Sequence, residues 1–146
     1  MFTLETLSAI DNATYLQKLE IADFLFEHLD QYGDPKEDIM RCLDYALDQA
    51  ADKGGFSVLA REEGKVVGVV VVNKTGMSGY IPENIIVYIA VDASQRGKGM
   101  GKKLMQTAID MAHGDVALHV EPDNPAKILY EKLGFENKYL EMRLKR

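Results

Sequence analysis

The sequence has few of the residues that build disulfides or metal sites. It contains one cysteine and three histidines among 146 residues. The single Cys42 excludes an internal disulfide and is typical of a reducing compartment, so we expect a cytoplasmic location. The histidines lie far apart without the spacing of metal ligands, which predicts that the chain holds no metal; they are His28, His113 and His119.

Long apolar runs and an excess of basic residues are also lacking. No run approaches the length that spans a bilayer, and the N-terminus has neither the cationic nor the apolar region of a signal peptide. The net charge of −6 argues against a general nucleic-acid binder. We therefore expect neither a membrane nor a nucleic acid as a partner.

Repeats, low-complexity segments and linkers are absent as well, whereas 47% of the residues are hydrophobic. A chain of this length and composition can bury one core of its own. We therefore predict a single domain over residues 1–146.

The first half of the chain mixes strand and helix patterns. Apolar alternation and apolar runs predict three strands, at residues 2–7, 56–61 and 66–72. The third is apolar on both faces apart from Gly68, so it should be central in the sheet. Helical spacing predicts two helices between the first and second strands, over residues 12–29 and from about residue 35 to an inward-facing Ala50. Asp11 or Asn12 would cap the first of them.

The second half is organised around a strand, a glycine loop and a helix within residues 85–112. A further strand at residues 116–120 should lie parallel to the strand at 85–91, because a helix connects them. The last helix should begin at Asn124 as its cap and end at Gly134. Residues 135–144 are strand-like. These elements predict an α/β (α+β) fold.

The loop between the strand and the helix carries the clearest chemical signal. Gly97, Gly99 and Gly101 stand at alternate positions, and glycine lets a backbone come close to a ligand. The helix that follows offers unpaired N–H groups and partial positive charge at its first turn. The flanking cations are Arg96, Lys98 and Lys102. This combination predicts a phosphate or pyrophosphate ligand.

Two common phosphate motifs fit this loop poorly. A Walker loop needs a glycine where Arg96 stands and a Ser or Thr where Lys103 stands. The dinucleotide fingerprint Gly-x-Gly-x-x-Gly is one residue longer than the loop, although Glu121 lies where a ribose-binding acid would be expected. A fragment of a nucleotide-binding oxidoreductase therefore stays open as an alternative.

The pattern Arg-x-x-Gly-x-Gly at residues 96–101 resembles the pyrophosphate-binding signature of the GNAT superfamily of acyl-CoA-dependent N-acyltransferases. A second segment, Asn-Pro-Ala-Lys-Ile-Leu-Tyr-Glu-Lys-Leu-Gly-Phe at residues 124–135, is similar to the closing segment of that family. The resemblance is sharp over residues 85–135. It implies a GNAT fold, with a mixed, mostly antiparallel sheet of six or seven strands, helices on both faces and a splayed central pair of parallel strands.

The resemblance also implies roles for individual residues. The donor would be acetyl-CoA, and the acceptor a primary amine of a small molecule or a polypeptide. The backbone of Ile89, Ala90 and Val91 would bind the pantetheine arm and the acyl carbonyl. The pyrophosphate would lie against Arg96, Gly97, Lys98, Gly99, Met100, Gly101 and Lys102. Asn124 would touch the pantetheine arm, and Tyr130 would lie beside the donor and protonate the leaving thiolate as general acid.

The chain departs from the family pattern in two places. The family commonly places the Asn seven residues before the Tyr, where this chain has Asp123, and Asn124 follows one position later. The segment after Phe135 is short, which indicates either an open acceptor site or a site completed by the second subunit of a homodimer.

The general base has no clear assignment. An amine must lose a proton in the reaction, and the candidates are Glu83, Tyr88, His119, Glu121 and a chain of waters. We interpret His119 first as a packed or hydrogen-bonded structural residue. The leading hypothesis is an N-acetyltransferase that works by direct attack, and the alternative from another class is a non-catalytic acyl-CoA-binding or regulatory module on the same fold.

Overall fold

The computed structural model describes residues 1–47 and 54–146, which form one sheet flanked by helices. The strands are β1 Thr3–Leu7, β2 Gly55–Glu62, β3 Lys65–Lys74, β4 Asn84–Val91 and β5 Val116–Leu118. The helices are α1 Tyr15–His28, α2 Lys36–Ala46, α3 Met100–Met111 and α4 Lys127–Lys132. Short 3-10 turns lie at Ala9–Asp11, Asp30–Tyr32 and Ala93–Gln95.

The strands follow one another across the sheet in chain order, from β1 to β5. The pairs β1–β2, β2–β3 and β3–β4 are antiparallel, whereas β4 and β5 are parallel and are connected by α3. The predicted mixed, mostly antiparallel sheet with a parallel pair is therefore confirmed. The described residues contribute five strands to it, fewer than the six or seven that the resemblance implies.

Two hydrophobic cores lie on opposite faces of the sheet. On one face α1 and α2 pack against β2, β3 and β4, with side chains such as Leu25, Ile39 and Val69 buried between them. On the other face α3 and α4 cover the sheet, with Leu104 and Val70 at the centre. We call these the α1–α2 face and the α3–α4 face. β3 is buried on both faces, as its apolar sequence predicts.

Gly68 explains how closely α3 approaches the sheet. A Cβ atom at this position would lie 2.9 Å from both Leu104 Cδ1 and Met100 Sδ, which is closer than packed carbon and sulfur atoms come. The missing side chain therefore admits the helix that carries the glycine loop.

Local details of the first helices differ from the predictions. α1 is capped by Thr14, whose Oγ1 accepts from the Gln17 N–H at 3.1 Å while Gln17 Oε1 accepts from the Thr14 N–H at 2.8 Å. The prediction of Asp11 or Asn12 as cap was wrong, since Asp11 accepts from the Ser8 N–H at 2.7 Å in the preceding turn. Ala50, predicted to face inward, lies outside the described residues.

The strand predicted at residues 135–144 is wrong for this structure, which has no regular secondary structure there. Four apolar side chains of the segment are 78–90% exposed, namely Tyr139, Leu140, Met142 and Leu144, whereas Phe135 at its start is half-buried against the core of the α3–α4 face. A strand needs a partner to satisfy its backbone, and the segment pairs with none in the described chain.

The described residues include no helix that is both long and apolar enough to cross a membrane.

Candidate active site

The parallel strands β4 and β5 stay together for only three residue pairs, from Asn84 opposite Val116 to Ile86 opposite Leu118. β4 then continues to Val91 without a partner on this side. Because the strands part, the backbone of residues 87–91 has a free edge that can pair with an extended ligand. We call this opening the gap. It contains the three backbone positions predicted to hold the donor: Ile89, Ala90 and Val91.

A β-bulge lies where the gap begins. Against β3, Tyr88 is opposite Val71 and Ile86 is opposite Val72, so Val87 is an extra residue. Val87 and Tyr88 consequently both belong to the α1–α2 face, whereas Ile89 and Val91 belong to the α3–α4 face. Sequence patterning did not reveal the bulge, because its extra residue is an ordinary valine in an apolar run.

The glycine loop follows directly after β4. Asp92 starts it: its N–H donates to the Val67 carbonyl at 2.9 Å, and its Oδ1 accepts from the Ser94 N–H and hydroxyl, each at 2.9 Å. These hydrogen bonds hold the pKa of Asp92 below its usual value. The carboxylate thereby fixes the exit of the chain from the strand toward α3.

Two of the loop glycines have a conformation that requires glycine. Gly97 and Gly99 have φ angles of 81° and 78°, and Gly99 immediately precedes the first residue of α3. Gly101 lies inside the helix, where an added Cβ would make an ordinary contact with Leu129 Cδ2 at 3.6 Å. The protein itself therefore needs glycine at 97 and 99 but tolerates a methyl group at 101.

The first turn of α3 carries no acidic residue, and it presents its N–H groups beside several exposed cations. The cations are Arg96, Lys98, Lys102 and Lys103. Lys98 Nζ donates to Gln95 Oε1 at 3.3 Å. Met100, in contrast, is buried against the sheet, so it contributes its backbone rather than its side chain to this surface. The geometry suits an anion at the helix N-terminus.

Tyr130 projects from α4 into the core of the α3–α4 face, which also includes Met100, Ile89 and Val91. Its ring meets the ring of Phe135 edge-on at 6.3 Å. Burial raises the pKa of Tyr130 to about 12, and the described residues offer its hydroxyl no hydrogen-bond acceptor. The phenol therefore stays protonated at neutral pH and is available to donate.

Asn124 opens the turn that leads into α4. Its Oδ1 accepts from the Ala126 N–H at 3.0 Å, and its carbonyl accepts from the Lys127 N–H at 3.1 Å. The prediction of Asn124 as the helix cap was wrong: the regular helix starts at Lys127 with Ala126 as its N-cap, and the Asn124 side chain closes the turn that precedes it.

The model of the Acetyltransferase (GNAT) family matches residues 14–135. This chain belongs to the GNAT family. Members of that family use acetyl-CoA, as the resemblance of the loop implied. The family assignment agrees with the splayed strands, the glycine loop and the tyrosine on the last helix.

Two curated relatives match about half of this GNAT chain. An L-2,4-diaminobutyric acid acetyltransferase from Nocardia farcinica is 36% identical over 86 residues, 53% of this chain and 41% of the relative. An N-alpha-acetyltransferase RimI from Mycobacterium tuberculosis is 34% identical over 79 residues, 53% of this chain and 49% of the relative. The matched region thus spans about half the length of these curated relatives.

Among solved structures, the aminoglycoside N-acetyltransferase AAC(6')-Iy in complex with CoA has a TM-score of 0.69 with this GNAT chain. The similarity covers 100% of this chain and 96% of the other at 17% identity, so it shows a shared fold.

Two of the predicted base candidates are unsuited to that role in this GNAT site. Glu83 lies just before β4, at the end of the strand away from the gap, and its Oε1 accepts from the Asp115 N–H at 2.9 Å. Backbone hydrogen bonds hold its pKa below the usual value. The Tyr88 hydroxyl donates to Asp34 Oδ2 at 2.5 Å, and burial together with this carboxylate raises its pKa, so it keeps its proton.

The other two candidates lie just beyond the end of β5, on the opposite side of the gap from β4. His119 and Glu121 are both exposed. The prediction of a packed or structural His119 is therefore wrong for this structure. β5 ends at Leu118, which leaves His119 outside the strand that was predicted to contain it.

Sequence reasoning missed the contribution of the chain between α1 and α2. His28, at the end of α1, places Nε2 3.9 Å from Asp92 Oδ2 and stacks on Phe24 at 4.4 Å between ring centroids. Tyr32 Oη donates to the Asp123 carbonyl at 3.3 Å. No sequence signal could have found these contacts, because their partners are far apart in the chain and meet only in the fold.

A separate cavity of about 470 Å³ lies at the other end of β4. Its lining includes Phe56, Asn84 and His113, together with Glu83. None of the residues of the glycine loop contributes to it. This cavity is therefore distinct from the gap.

Proposed function

We propose that residues 1–146 act as one N-acetyltransferase domain, which transfers the acetyl group of acetyl-CoA to a primary amine by direct attack. One observation carries the proposal: the free edge of β4 runs directly into a glycine loop at the N-terminus of α3. A ligand with an extended arm and a pyrophosphate matches these two surfaces in the order in which they occur.

The donor is bound in two parts. Backbone N–H groups at the start of α3 and the exposed cations hold the pyrophosphate, while Ile89, Ala90 and Val91 pair with the pantetheine arm through their backbone. Asn124 contributes its side-chain amide nitrogen, since its oxygen is used by the Ala126 N–H. The CoA complex of the aminoglycoside acetyltransferase with the same fold supports this choice of ligand.

Acetyl transfer forms one carbon–nitrogen bond, breaks one carbon–sulfur bond and requires two proton transfers. The neutral amine nitrogen attacks the thioester carbonyl carbon, and the carbon–sulfur bond breaks as the carbonyl re-forms. The sulfur takes a proton from Tyr130, and the nitrogen gives one to His119, Glu121 or a water between them. A phenol can protonate a thiolate only when it is held close to it, which is the role of the α4 helix.

The acceptor is a primary amine, and the named relatives support both a small molecule and a polypeptide. One is described as a diaminobutyric acid acetyltransferase and the other as an N-alpha-acetyltransferase. We further propose a homodimer and a cytoplasmic location. Exposed apolar side chains at residues 139–144 support the first, and Cys42, half-buried as a free thiol, supports the second.

Two measurements test the proposed function, first donor binding and then acetyl transfer. Calorimetric titration of the purified chain with acetyl-CoA, CoA, NAD and ATP should show binding of the first two. Thiol release is then followed with acetyl-CoA and a panel of amines: 2,4-diaminobutyrate, a polyamine, an aminoglycoside and a peptide with a free N-terminus. Binding of NAD alone would contradict the donor assignment. If acetyl-CoA binds tightly but no amine of the panel and no peptide of a library is acetylated, the result would favour the non-catalytic module.

A further inference from the structure

We propose that Tyr88 is a positioning residue that holds the α1–α2 loop, residues 29–35, across the acceptor side of the gap and thereby sets the affinity for the amine. This inference rests on the proposed acetyl transfer. It assigns a role to a buried tyrosine that the transfer chemistry does not use.

The first contact that holds the α1–α2 loop is a hydrogen bond from β4. Tyr88 lies in β4 at the bulge and is 7% exposed. Its hydroxyl donates to Asp34 Oδ2 at 2.5 Å, and Asp34 belongs to the α1–α2 loop. A hydrogen bond to a charged acceptor in a partly buried place is among the stronger ones in proteins. The loop is therefore fixed to the β4 side of the gap.

The second contact that holds the α1–α2 loop lies on the β5 side of the gap. Tyr32, two residues before Asp34, donates its hydroxyl to the Asp123 carbonyl at 3.3 Å. Asp123 follows β5, which has already separated from β4 at Leu118. The same short loop thus contacts both sides of the opening and spans its mouth.

The loop and the glycine loop lie on opposite faces of the sheet. Tyr88 belongs to the core of the α1–α2 face, whereas α3, which carries the glycine loop, packs on the other face. A donor anchored at α3 enters the gap from the α3–α4 face. An amine that approaches the carbonyl from the opposite side must pass beneath the α1–α2 loop, so the position of the loop limits what can enter.

The bulge at the start of the gap decides on which face of the sheet Tyr88 lies. Side chains of a strand alternate between faces, and one extra residue reverses the alternation beyond it. Without Val87 as the extra residue, Tyr88 would lie on the α3–α4 face and could not reach Asp34. The irregularity that accompanies the opening of the gap therefore also turns Tyr88 toward the loop.

The test compares two tyrosine variants. Tyr88→Phe removes the hydroxyl that donates to Asp34 and keeps the ring. Tyr45→Phe is the matched control, because Tyr45 donates to the Lys74 carbonyl at 2.7 Å, away from the gap. We expect Tyr88→Phe to raise KM for the amine by roughly ten-fold or more, the equivalent of losing a charged hydrogen bond. The acetyl-CoA affinity and kcat should change less than about two-fold, and the control should change none of the three.

Two further variants connect the effect to Asp34. Asp34→Ala should raise KM as much as Tyr88→Phe, and the double variant should be no worse than either single one, because both remove the same contact. Asp34→Asn keeps an acceptor oxygen and should recover part of the affinity.

Hydrogen exchange of residues 29–35 supplies a readout without substrates, and it should become faster in Tyr88→Phe and not in Tyr45→Phe. An unchanged amine KM in folded Tyr88→Phe would overturn the proposal. So would equal losses of amine and acetyl-CoA affinity, which would indicate a general structural role. If wild type acetylates no amine, the acetyl-transfer proposal fails first, and unchanged loop exchange in Tyr88→Phe would show separately that the contact itself is absent.

Discussion

Tyr130 combines a buried ring with a hydroxyl that no described residue accepts from, and burial raises its pKa to about 12. The phenol therefore carries its proton at neutral pH, as the proposed transfer of that proton to the leaving sulfur requires. Tyr130→Phe keeps the edge contact with Phe135 and should leave CoA affinity nearly unchanged. The single-turnover rate should fall by roughly 10²–10⁴, the usual contribution of a positioned general acid.

Rapid-mixing measurement of the first turnover is needed, because product release can mask a slower chemical step. An unchanged chemical step in the Tyr130→Phe variant would assign Tyr130 to helix packing. It would leave the thiolate to take its proton from solvent.

Cys42 lies in α2 beside Asn73, and burial raises the pKa of its thiol from 9.0 to about 12. Only the thiolate reacts with iodoacetamide. At pH 8 the native thiol should therefore react at least about 10²-fold more slowly than the unfolded chain in urea, since its thiolate fraction is lower by roughly three orders of magnitude. The native rate should keep rising with pH toward about 12. Equal rates in native and unfolded protein would mean that the thiol is accessible and unshifted.

At the scale of the element, substitutions at the three glycines from Gly97 to Gly101 can distinguish effects on folding from effects on ligand binding. Gly97 and Gly99 have positive φ angles, so substitutions there strain the backbone whether or not a ligand binds. Gly101 has no such constraint, and its added Cβ would contact only Leu129 and Val91 at ordinary distances.

Gly101→Ala should therefore fold with nearly wild-type stability and lose at least about ten-fold in acetyl-CoA affinity, because the methyl group would occupy space that the pyrophosphate needs at the helix start. Gly99→Val should also abolish binding, with an added loss of stability of about 1–2 kcal/mol from the strained φ. Calorimetric titration and urea unfolding measure both effects. A folded Gly101→Ala with wild-type affinity would place the phosphates elsewhere.

The cations of the loop act through charge that solvent screens. Arg96 and Lys98 are exposed, so Arg96→Ala and Lys98→Ala should each weaken CoA binding by about 1 kcal/mol, below the 1.5–3 kcal/mol of a desolvated charged hydrogen bond. The difference from wild type should shrink between 50 mM and 500 mM salt. Lys132→Ala, in the last turn of α4, serves as the surface-charge control. A loss of CoA affinity that does not depend on the salt concentration would indicate that the side chain acts through packing.

Local sequence patterns predicted the elements that depend on neighbours in the chain. The strand at β4, the glycine-containing connection from β4 into α3 and the order of the helices follow from apolar spacing and glycine placement, and the structure confirms them. Contacts that depend on distant residues were not predictable in this way. The bulge at Val87 and the hydrogen bond from Tyr88 to Asp34 have no local signal, because a valine in an apolar run and an acid in a polar loop are both ordinary.

The segment after α4 shows where a local pattern fails for a physical reason. Residues 139–144 have the apolar content of a strand, but a strand forms only against a partner edge, and the described chain provides none in contact with it. The apolar pattern predicts an extended conformation for this segment, but a strand forms only where another strand offers a free edge to pair with.

For the whole molecule, this segment and the outer edge of β5 are complementary. β5 is the last strand of the sheet, so one side of it has no ladder partner in the described residues. An unpaired edge and an exposed apolar segment are both unfavourable in a monomer, and two copies could remove both at once by adding the segment of one to the β5 edge of the other. We expect such a dimer to complete the acceptor side of the gap, since the second copy would lie against β5, the strand that borders the gap.

We therefore expect wild type to elute as a dimer in size-exclusion chromatography with light scattering, and the double variant Leu140→Lys, Met142→Lys to elute as a monomer, because two charges cannot be buried at a strand interface without partners. Leu16→Lys is the matched control: Leu16 is 73% exposed on α1, away from β5, and its variant should remain dimeric. The amine KM of the monomeric variant should rise, whereas its acetyl-CoA affinity should stay unchanged, since all residues of the proposed pyrophosphate site belong to one chain. A wild type that stays monomeric at 100 µM (roughly the range in which weak homodimers with Kd of tens of micromolar form) would contradict the dimer and leave the acceptor site open to solvent on this side.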